Sequence, residues 1–218
     1  MTAQQKSRGQ RAYRMSRRRE SLEDMRQRIA EAAFELHATV GPAHTSIKAV
    51  AERAGVQRHT VYHHFPDMTS LVRACTEHGM RITRIPEPEP WRAIEDPTAR
   101  LRQALGDLYG YYRANARLLG NVIRDMPLMD EGGVEAFVQR MGALFAALAA
   151  GWPDDATTQR LRMAAIGHAM SYETWKSLTG NGVTDGEAAE LMLQLVTGIE
   201  VRAAATGRQD QPGGGVRL

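Results

Sequence analysis

The chain has 218 residues, of which 43% are hydrophobic, so it can bury the core of one large domain or two modest ones. Its net charge of +3 is unevenly divided: residues 1–83 hold 14 Lys and Arg against 8 Asp and Glu, and the remainder holds 14 against 17. A single cysteine excludes an internal disulfide framework, and the longest apolar run, Met141–Trp152, is shorter than the roughly 20 residues of a membrane span.

Residues 1–20 form a basic segment without apolar periodicity, which we predict to be a disordered arm. Against the single acid Glu20 the segment carries Lys6, Arg8, Arg11, Arg14, Arg17, Arg18 and Arg19. The arm either stays solvated or contacts a polyanion, and both readings remain open. A polar, cationic start is unlike a secretory signal, so we expect a cytoplasmic protein without a membrane partner.

A long amphipathic helix is predicted to follow the arm. Ser21 with Asp24 resembles a capping box, in which each side chain satisfies an amide of the first turn. Apolar residues then recur at steps of three and four from Leu22 to Val40, and Gly41-Pro42 ends the helix.

Two short helices come next, and they have the spacing of a helix-turn-helix. Thr45 is the expected N-cap of the first, and Gly55 ends it where a left-handed backbone suits a residue without Cβ. The second runs from about Gln57 to His64, and a fourth helix begins after Pro66-Asp67. In this motif the second helix enters the major groove of DNA with residues near its start on the base edges.

The outward residues of that second helix suit contacts with DNA. Gln57 can pair with adenine and Arg58 with guanine, each worth roughly 1–3 kcal/mol of discrimination. His59, Tyr62 and His63 share the same surface, and hydroxyl groups can donate to phosphate oxygens. A solvated polar face explains each residue singly, but it does not explain the turn and the basic charge together.

These residues resemble the DNA-binding region of tetracycline-repressor (TetR) family regulators over about residues 25–75. The resemblance is carried by Ile29–Leu36, Gly41, Thr45, Val50-Ala51, Ala54-Gly55-Val56, Thr60-Val61-Tyr62, His64-Phe65 and Leu71. It implies a homodimer that binds a palindromic operator in double-stranded DNA and usually represses transcription until a small-molecule ligand enters the carboxy-terminal domain. The positions that it implies as DNA-facing are Thr45, Lys48, Gln57, Arg58, His59, Thr60, Tyr62 and His63.

The sequence departs from the family pattern at three of these neighbouring positions. Met68 stands where the family usually has a lysine, so the phosphate contact of that lysine is not expected here. Gln57 replaces a common serine and His59 a common small residue, which suggests an individual operator sequence.

Residues 85–91 contain three prolines and are predicted to be a non-helical linker between a DNA-binding domain, residues 21–84, and a helical domain, residues 92–205. Residues 206–218 are predicted to be a flexible tail. The predicted helices of the second domain are 97–115, 117–125, 131–150, 154–178 and 184–205. The fold class is therefore all-α, with about nine helices.

The resemblance implies that the last two long helices form the homodimer interface, with Leu191, Leu195, Ile199 and Ala169 as candidates for its seam. Ordinary intramolecular core is the alternative. A ligand-binding cavity lined by aromatic and polar residues at helical spacing is also expected within residues 97–178, although the same pattern is typical of plain core. Its candidates are Tyr109, Tyr112, Phe137, Met141, Phe145, His168, Tyr172 and Trp175.

The sequence contains no group of residues arranged as in a catalytic site, so no catalytic residue, metal or cofactor is predicted. Cys75 and His78 share a helical face whose flanks, Leu71 and Ile82, make it a core stripe. His63 and its neighbours lack a third metal ligand. The remaining alternatives are a helix-turn-helix regulator controlled by a partner protein or by no ligand, and a helical scaffold that binds only protein.

Overall fold

The computed structural model describes residues 3–129, 131–153 and 155–199, without the side chains of residues 3–16, 18 and 131. These ranges contain eleven α-helices, two short 3-10 turns and no strand, which confirms the all-α prediction with two helices more than expected. The helices are α1 (Ala3–Thr39), α2 (Ile47–Ala54), α3 (Arg58–His64), α4 (Met68–Ile82), α5 (Pro88–Arg92), α6 (Pro97–Ala114), α7 (Ala116–Asp125), α8 (Glu131–Ala149), α9 (Ala156–Ala169), α10 (Tyr172–Gly180) and α11 (Asp185–Thr197).

Helices α1 to α4 form a unit that we call the head. Its core is built from Ile29 and Ala33 of α1, Val50 of α2 and Val61 of α3, all with no solvent exposure. Leu71 of α4 closes this core at 1% exposure. The head therefore has an apolar core of its own.

Helix α1 begins much earlier than the sequence indicated. It starts at Ala3 and runs without a break to Thr39, so the prediction of a disordered arm is wrong for residues 3–20. Ser21 lies inside the helix and caps nothing. The arm is rich in Arg, Gln, Ala and Met, which have good helix propensity, and Gly9 alone is a strong exception.

Helices α5 to α11 form the body. Its centre is α6, whose Leu101, Leu105, Leu108 and Tyr109 have no solvent exposure and pack among α8, α9 and α11. No helix among the described residues has both the length and the apolar character needed to cross a bilayer. The predicted tail, 206–218, and the end of the helix predicted over 184–205 lie outside the described residues.

Two predictions for the body need correction. The segment 85–91 is not wholly non-helical, because Pro88 starts α5 at a position where a missing N–H breaks no bond. Trp91 of α5 is buried, and its Nε1 donates to Asp107 Oδ2 at 2.9 Å, which fixes the segment on the body. The single helix predicted over 154–178 is divided, because Ser171 Oγ accepts a hydrogen bond from the first turn of α10.

The head and the body meet along α4 and α8. Gly133 lies so close to α4 that a Cβ added there would be 2.7 Å from Cγ1 of Val72. Thr76 Oγ1 also donates to the Gly133 carbonyl oxygen at 3.2 Å. The close approach of this part of α8 to the Val72 side chain explains why glycine occupies the position.

Candidate nucleic-acid interface

The turn between α2 and α3 has the geometry that the sequence predicted. Gly55 adopts the left-handed conformation, with φ 68° and ψ 37°. The backbone N–H of Val56 donates to the carbonyl oxygen of Ala51 at 2.9 Å, which completes a helix C-cap. This turn fixes the angle at which α3 leaves α2.

Helix α3 is held against the head by one apolar side and one cation. Val61 and Phe65 have no solvent exposure. The Arg26 guanidinium lies 4.2 Å from the centre of the Phe65 ring and donates to the His64 carbonyl oxygen at 2.6 Å. Because the middle and the C-terminal end of the short helix are anchored, its opposite face has a fixed direction.

The opposite face of α3 carries the residues that the sequence singled out. Gln57, Arg58, His59, Tyr62 and His63 are all exposed, and Tyr62 keeps 54% of its surface in solvent. Among the described residues, none binds the Arg58 guanidinium. The face is therefore polar, cationic and free to contact another molecule.

Two further predicted DNA-facing residues, Thr60 and Lys48, have different environments. Thr60 is half-buried, with its Oγ1 3.5 Å from Nε2 of His59. Lys48 is exposed on α2 and lies 3.7 Å from Glu52, in a surface ion pair. Lys48 can exchange that partner for a phosphate at little cost, since exposed pairs contribute about 0–1 kcal/mol.

Thr45 was predicted to be the N-cap of α2 and to face DNA, and the structure contradicts both predictions. Its side chain is buried, and its hydroxyl donates to the Gly41 carbonyl oxygen at 2.8 Å. The N-cap of α2 is Ser46 instead, whose Oγ accepts from the Ala49 amide at 3.2 Å. Thr45 therefore stabilises the turn that precedes α2 and does not present its hydroxyl to a ligand.

A second candidate site is a cavity of about 260 Å³ in the body, which we call the body cavity. It brings together five of the eight residues predicted to bind a ligand: Tyr112, Phe137, Met141, Phe145 and Tyr172. Sequence reasoning missed Leu119 and Ile123 of α7 and Met170 after α9, which also line it. The four-residue spacing of Leu119 and Ile123, which places both on one face of a helix, could have indicated them.

The other three predicted ligand residues do not line the body cavity. Tyr109 is buried, and its hydroxyl donates to the Ala169 carbonyl oxygen at 2.8 Å. Trp175 is buried, and its Nε1 donates to Asp185 Oδ1 at 2.8 Å. His168 is exposed and lies 3.3 Å from the Thr174 hydroxyl. These three side chains have structural partners.

The cysteine lies in a neutral, buried pair. Cys75 Sγ is 3.1 Å from Nδ1 of His37, a partner that the sequence did not indicate. Burial raises the pKa of the Cys75 thiol to about 12 and lowers the pKa of His37 to about 4, so neither is charged at neutral pH. His78 is buried as predicted, whereas Ile82 is 51% exposed and leaves the stripe. Within the described ranges, no three His, Cys, Asp or Glu side chains are grouped to hold a metal.

Comparisons with known proteins agree with the geometry of the head. The family described as bacterial regulatory proteins, tetR family, matches residues 29–75. An HTH-type transcriptional repressor from Mycobacterium tuberculosis and an HTH-type transcriptional regulator from Mycobacterium bovis are each 35% identical over 99 residues. These matches cover 45% of this chain and 49% of each relative, so the chain spans about half the length of the curated relatives it matches.

Solved structures extend the likeness over both head and body. A tetR-family transcriptional regulator from Streptomyces coelicolor is 22% identical, with a TM-score of 0.56 over 81% of this chain and 79% of that chain. NalD, the secondary repressor of the MexAB-OprM multidrug efflux pump in Pseudomonas aeruginosa, is 23% identical, with a TM-score of 0.53 over 84% and 98%. At these identities the likeness shows a shared fold alone. The head segment 29–75 is therefore similar to the tetR family of bacterial regulatory proteins, and head and body together share the fold of these solved structures.

Proposed function

We propose that this chain is a sequence-specific DNA-binding regulator of transcription, and that it acts as a repressor in the cytoplasm. The observation that carries the proposal is the anchored helix α3, which presents Gln57, Arg58, His59, Tyr62 and His63 to solvent on one face. A helix held in this way fits the major groove, where amide and guanidinium groups distinguish base pairs. Repression is supported by the names of the relatives, among them a repressor from Mycobacterium tuberculosis.

The proposed assembly is a homodimer on a palindromic operator. A single helix-turn-helix contacts few base pairs, and a two-fold symmetric dimer contacts twice as many. The body offers a suitable apolar face on α9 and α11, where Leu161 is 44% exposed and Leu191 and Leu195 are each 46% exposed. Ile199 is half-buried beyond α11 and stays a candidate. Ala169 has no exposure and packs within the body, so it leaves the set of seam residues.

The proposed signal is a small molecule that enters the body cavity and releases the operator. Support comes from its mainly apolar lining with a few polar groups, which is typical of sites for small ligands. Helix α7 contributes Leu119 and Ile123 to this lining and also contacts the end of α1 in the head. Helix α7 therefore connects the lining of the body cavity to the DNA-binding unit.

The test is selection of bound fragments from a genomic DNA pool, followed by measurement of affinity at several salt concentrations. We expect enrichment of an inverted repeat and an affinity that falls steeply with salt, because phosphate contacts release counterions. Enrichment of no sequence would contradict the proposal. An enriched operator that no small molecule releases would instead favour a regulator controlled by a partner protein.

A further inference from the structure

The body cavity has no charged side chain among the described residues that line it. Its polar groups already have internal partners. Tyr112 donates its hydroxyl hydrogen to the Met170 carbonyl oxygen, and Tyr172 donates to the Ala116 carbonyl oxygen at 2.8 Å. Ser171 Oγ accepts from the Glu173 amide at 3.2 Å. The cavity therefore has little hydrogen-bonding capacity left to offer a ligand.

This chemistry sets the class of molecule that can enter. A buried ionised group without a partner carries a large desolvation cost, and a buried polar group without a hydrogen bond costs roughly 2–7 kcal/mol. Phe137, Met141 and Phe145 instead offer apolar contacts along α8. The desolvation cost of entering the cavity is smallest for an uncharged, apolar molecule.

A second cavity, of about 70 Å³, lies between the head and the body, and we call it the junction cavity. Phe34, Cys75 and Gly79 line it from the head, and Leu118 and Val122 line it from the body. A Cβ added to Gly79 would lie only 2.8 Å from the Phe34 ring, so the head side is tightly packed. The body and junction cavities share two lining residues, Leu119 and Phe137.

We propose that the ligand is an uncharged, elongated apolar molecule that fills the body cavity and extends between Leu119 and Phe137 into the junction cavity. This inference rests on the proposed function and deepens it. Both side chains are apolar, and Phe137 is only half-buried, so a change of its rotamer joins the two cavities. The junction cavity, of about 70 Å³, has room for only a short chain end, so a longer ligand pushes the head away from the body.

Helix α7 makes the hydrogen bonds between body and head that such a movement would strain. Its Asn121 donates to the Ala38 carbonyl oxygen at 3.1 Å, and its Arg124 donates to the Val40 carbonyl oxygen at 3.2 Å. Ala38 belongs to the end of α1, and Val40 follows that helix directly, so both contacts join α7 to the head. A ligand confined to the body cavity leaves these contacts in place, whereas one that enters the junction cavity strains them.

The probes are straight-chain primary alcohols from hexanol to tetradecanol, with carboxylates and ammonium ions of equal length. Calorimetry gives affinity, and displacement of the selected duplex gives release. We expect the alcohols to bind about fourfold more tightly for each buried methylene. The charged probes should bind at least ten times more weakly than the matched alcohol. Release of DNA should begin only at the chain length that reaches the junction cavity.

Three Val or Ile to Phe substitutions separate the steps. Ile123→Phe fills the body cavity alone and should abolish binding of every alcohol. Val122→Phe, on the adjacent residue, fills the junction cavity alone and should keep short alcohols bound, while long alcohols should bind without extra affinity and should not release DNA. Val138→Phe is a control on α8, exposed and outside both cavities, and should behave as wild type.

Two results overturn the inference: carboxylate or ammonium probes that bind as tightly as the alcohols, or release of DNA by wild-type protein that does not depend on chain length. Both are measured on the unmodified protein, so they stand even if a variant fails to fold. Failure of the proposed function is a different result, because it is the absence of any selected duplex, and calorimetry with the alcohols still tests the cavity in that case.

Discussion

The carboxylate of Asp125, at the end of α7, accepts a hydrogen bond from the backbone amide of Ala43 at 3.0 Å and so joins the body to the head. Asp125 is only 2% exposed, and the Arg124 guanidinium pairs with it at 2.7 Å. The hydrogen bond from the Arg124 guanidinium holds the pKa of Asp125 below its usual range, and the Ala43 amide and the charge of Arg124 act in the same direction. The carboxylate is therefore ionised under ordinary conditions and holds the turn that precedes α2.

Removal of this carboxylate should weaken the head–body junction. Asp125→Ala removes the acceptor of the Ala43 amide and the partner of Arg124, and hydrogen bonds to charged groups contribute about 1.5–3 kcal/mol. We expect the free energy of unfolding in urea to fall by that amount. Asp24→Ala, at an exposed position of α1, is the matched control and should change it by less than about 0.5 kcal/mol. Equal decreases in the two variants would rule out a specific role for Asp125.

His37 should make stability depend on pH in a defined window. Burial lowers its pKa from 6.5 to about 4, although the charge of Asp125 opposes this in part. Above pH 6.5 the imidazole is neutral in the folded and unfolded states and costs nothing. As pH falls below that value, His37 becomes protonated in the unfolded chain but stays neutral in the folded chain. The free energy of unfolding therefore declines by about 1.4 kcal/mol per pH unit until the folded pKa is reached.

The measurement is the free energy of unfolding of wild type and His37→Gln at pH 6.5 and pH 5. Wild type should lose about 1.6 kcal/mol more than the variant between these values, because half of the unfolded histidine is already protonated at pH 6.5. His168→Gln, at an exposed histidine, should keep the wild-type dependence. If His37→Gln declines as steeply as wild type, His37 is not the group responsible.

Charge placed on the apolar face of the body should separate the proposed homodimer. Leu191→Glu and Leu195→Glu change side chains that are each 46% exposed, so the folded monomer can tolerate them, whereas a dimer would bury an unpaired charge. We expect sedimentation to show monomers at concentrations where wild type is dimeric. Leu128→Glu, at a residue 77% exposed after α7, should leave the dimer intact. Dimers that persist in both α11 variants would place the interface elsewhere.

The basic start of α1 should bind phosphate groups when the head binds DNA. Deletion of residues 1–20 should weaken binding and reduce the slope of log affinity against log salt by about 0.9 for each phosphate that the arm neutralises in the wild-type complex. Glutamine at Arg17, Arg18 and Arg19 keeps helix propensity and removes charge, so it should give part of the same reduction. An unchanged slope after deletion would show that the arm does not bind phosphate.

Local signals explain which parts of the fold the sequence could predict. Gly55 ends α2 in a left-handed conformation, and Val61 and Phe65 anchor α3, as their spacing indicated. The exposed set on α3 followed from that spacing as well. These features depend on residues within two turns of each other, so one stretch of sequence contains the information.

Features that depend on distant residues were missed or misplaced. The burial of Asp125 arises from its contact with Ala43, and nothing near Asp125 in sequence indicates it. The body cavity takes Leu119 and Ile123 from α7 because of how α7 packs. The break between α9 and α10 depends on Ser171, and a serine inside an apolar pattern fits a helix as well as a cap.

The most direct test of the central claim compares two affinities of one variant. The ratio of affinity for the selected duplex to affinity for a random duplex is measured at moderate salt for wild type and for Gln57→Ala/Arg58→Ala/Tyr62→Ala. All three side chains are exposed, so the melting temperature should be preserved. We predict a ratio above roughly a thousand for wild type and below about ten for the triple variant. A folded triple variant that keeps the wild-type ratio would contradict the assignment of α3 as the element that reads DNA.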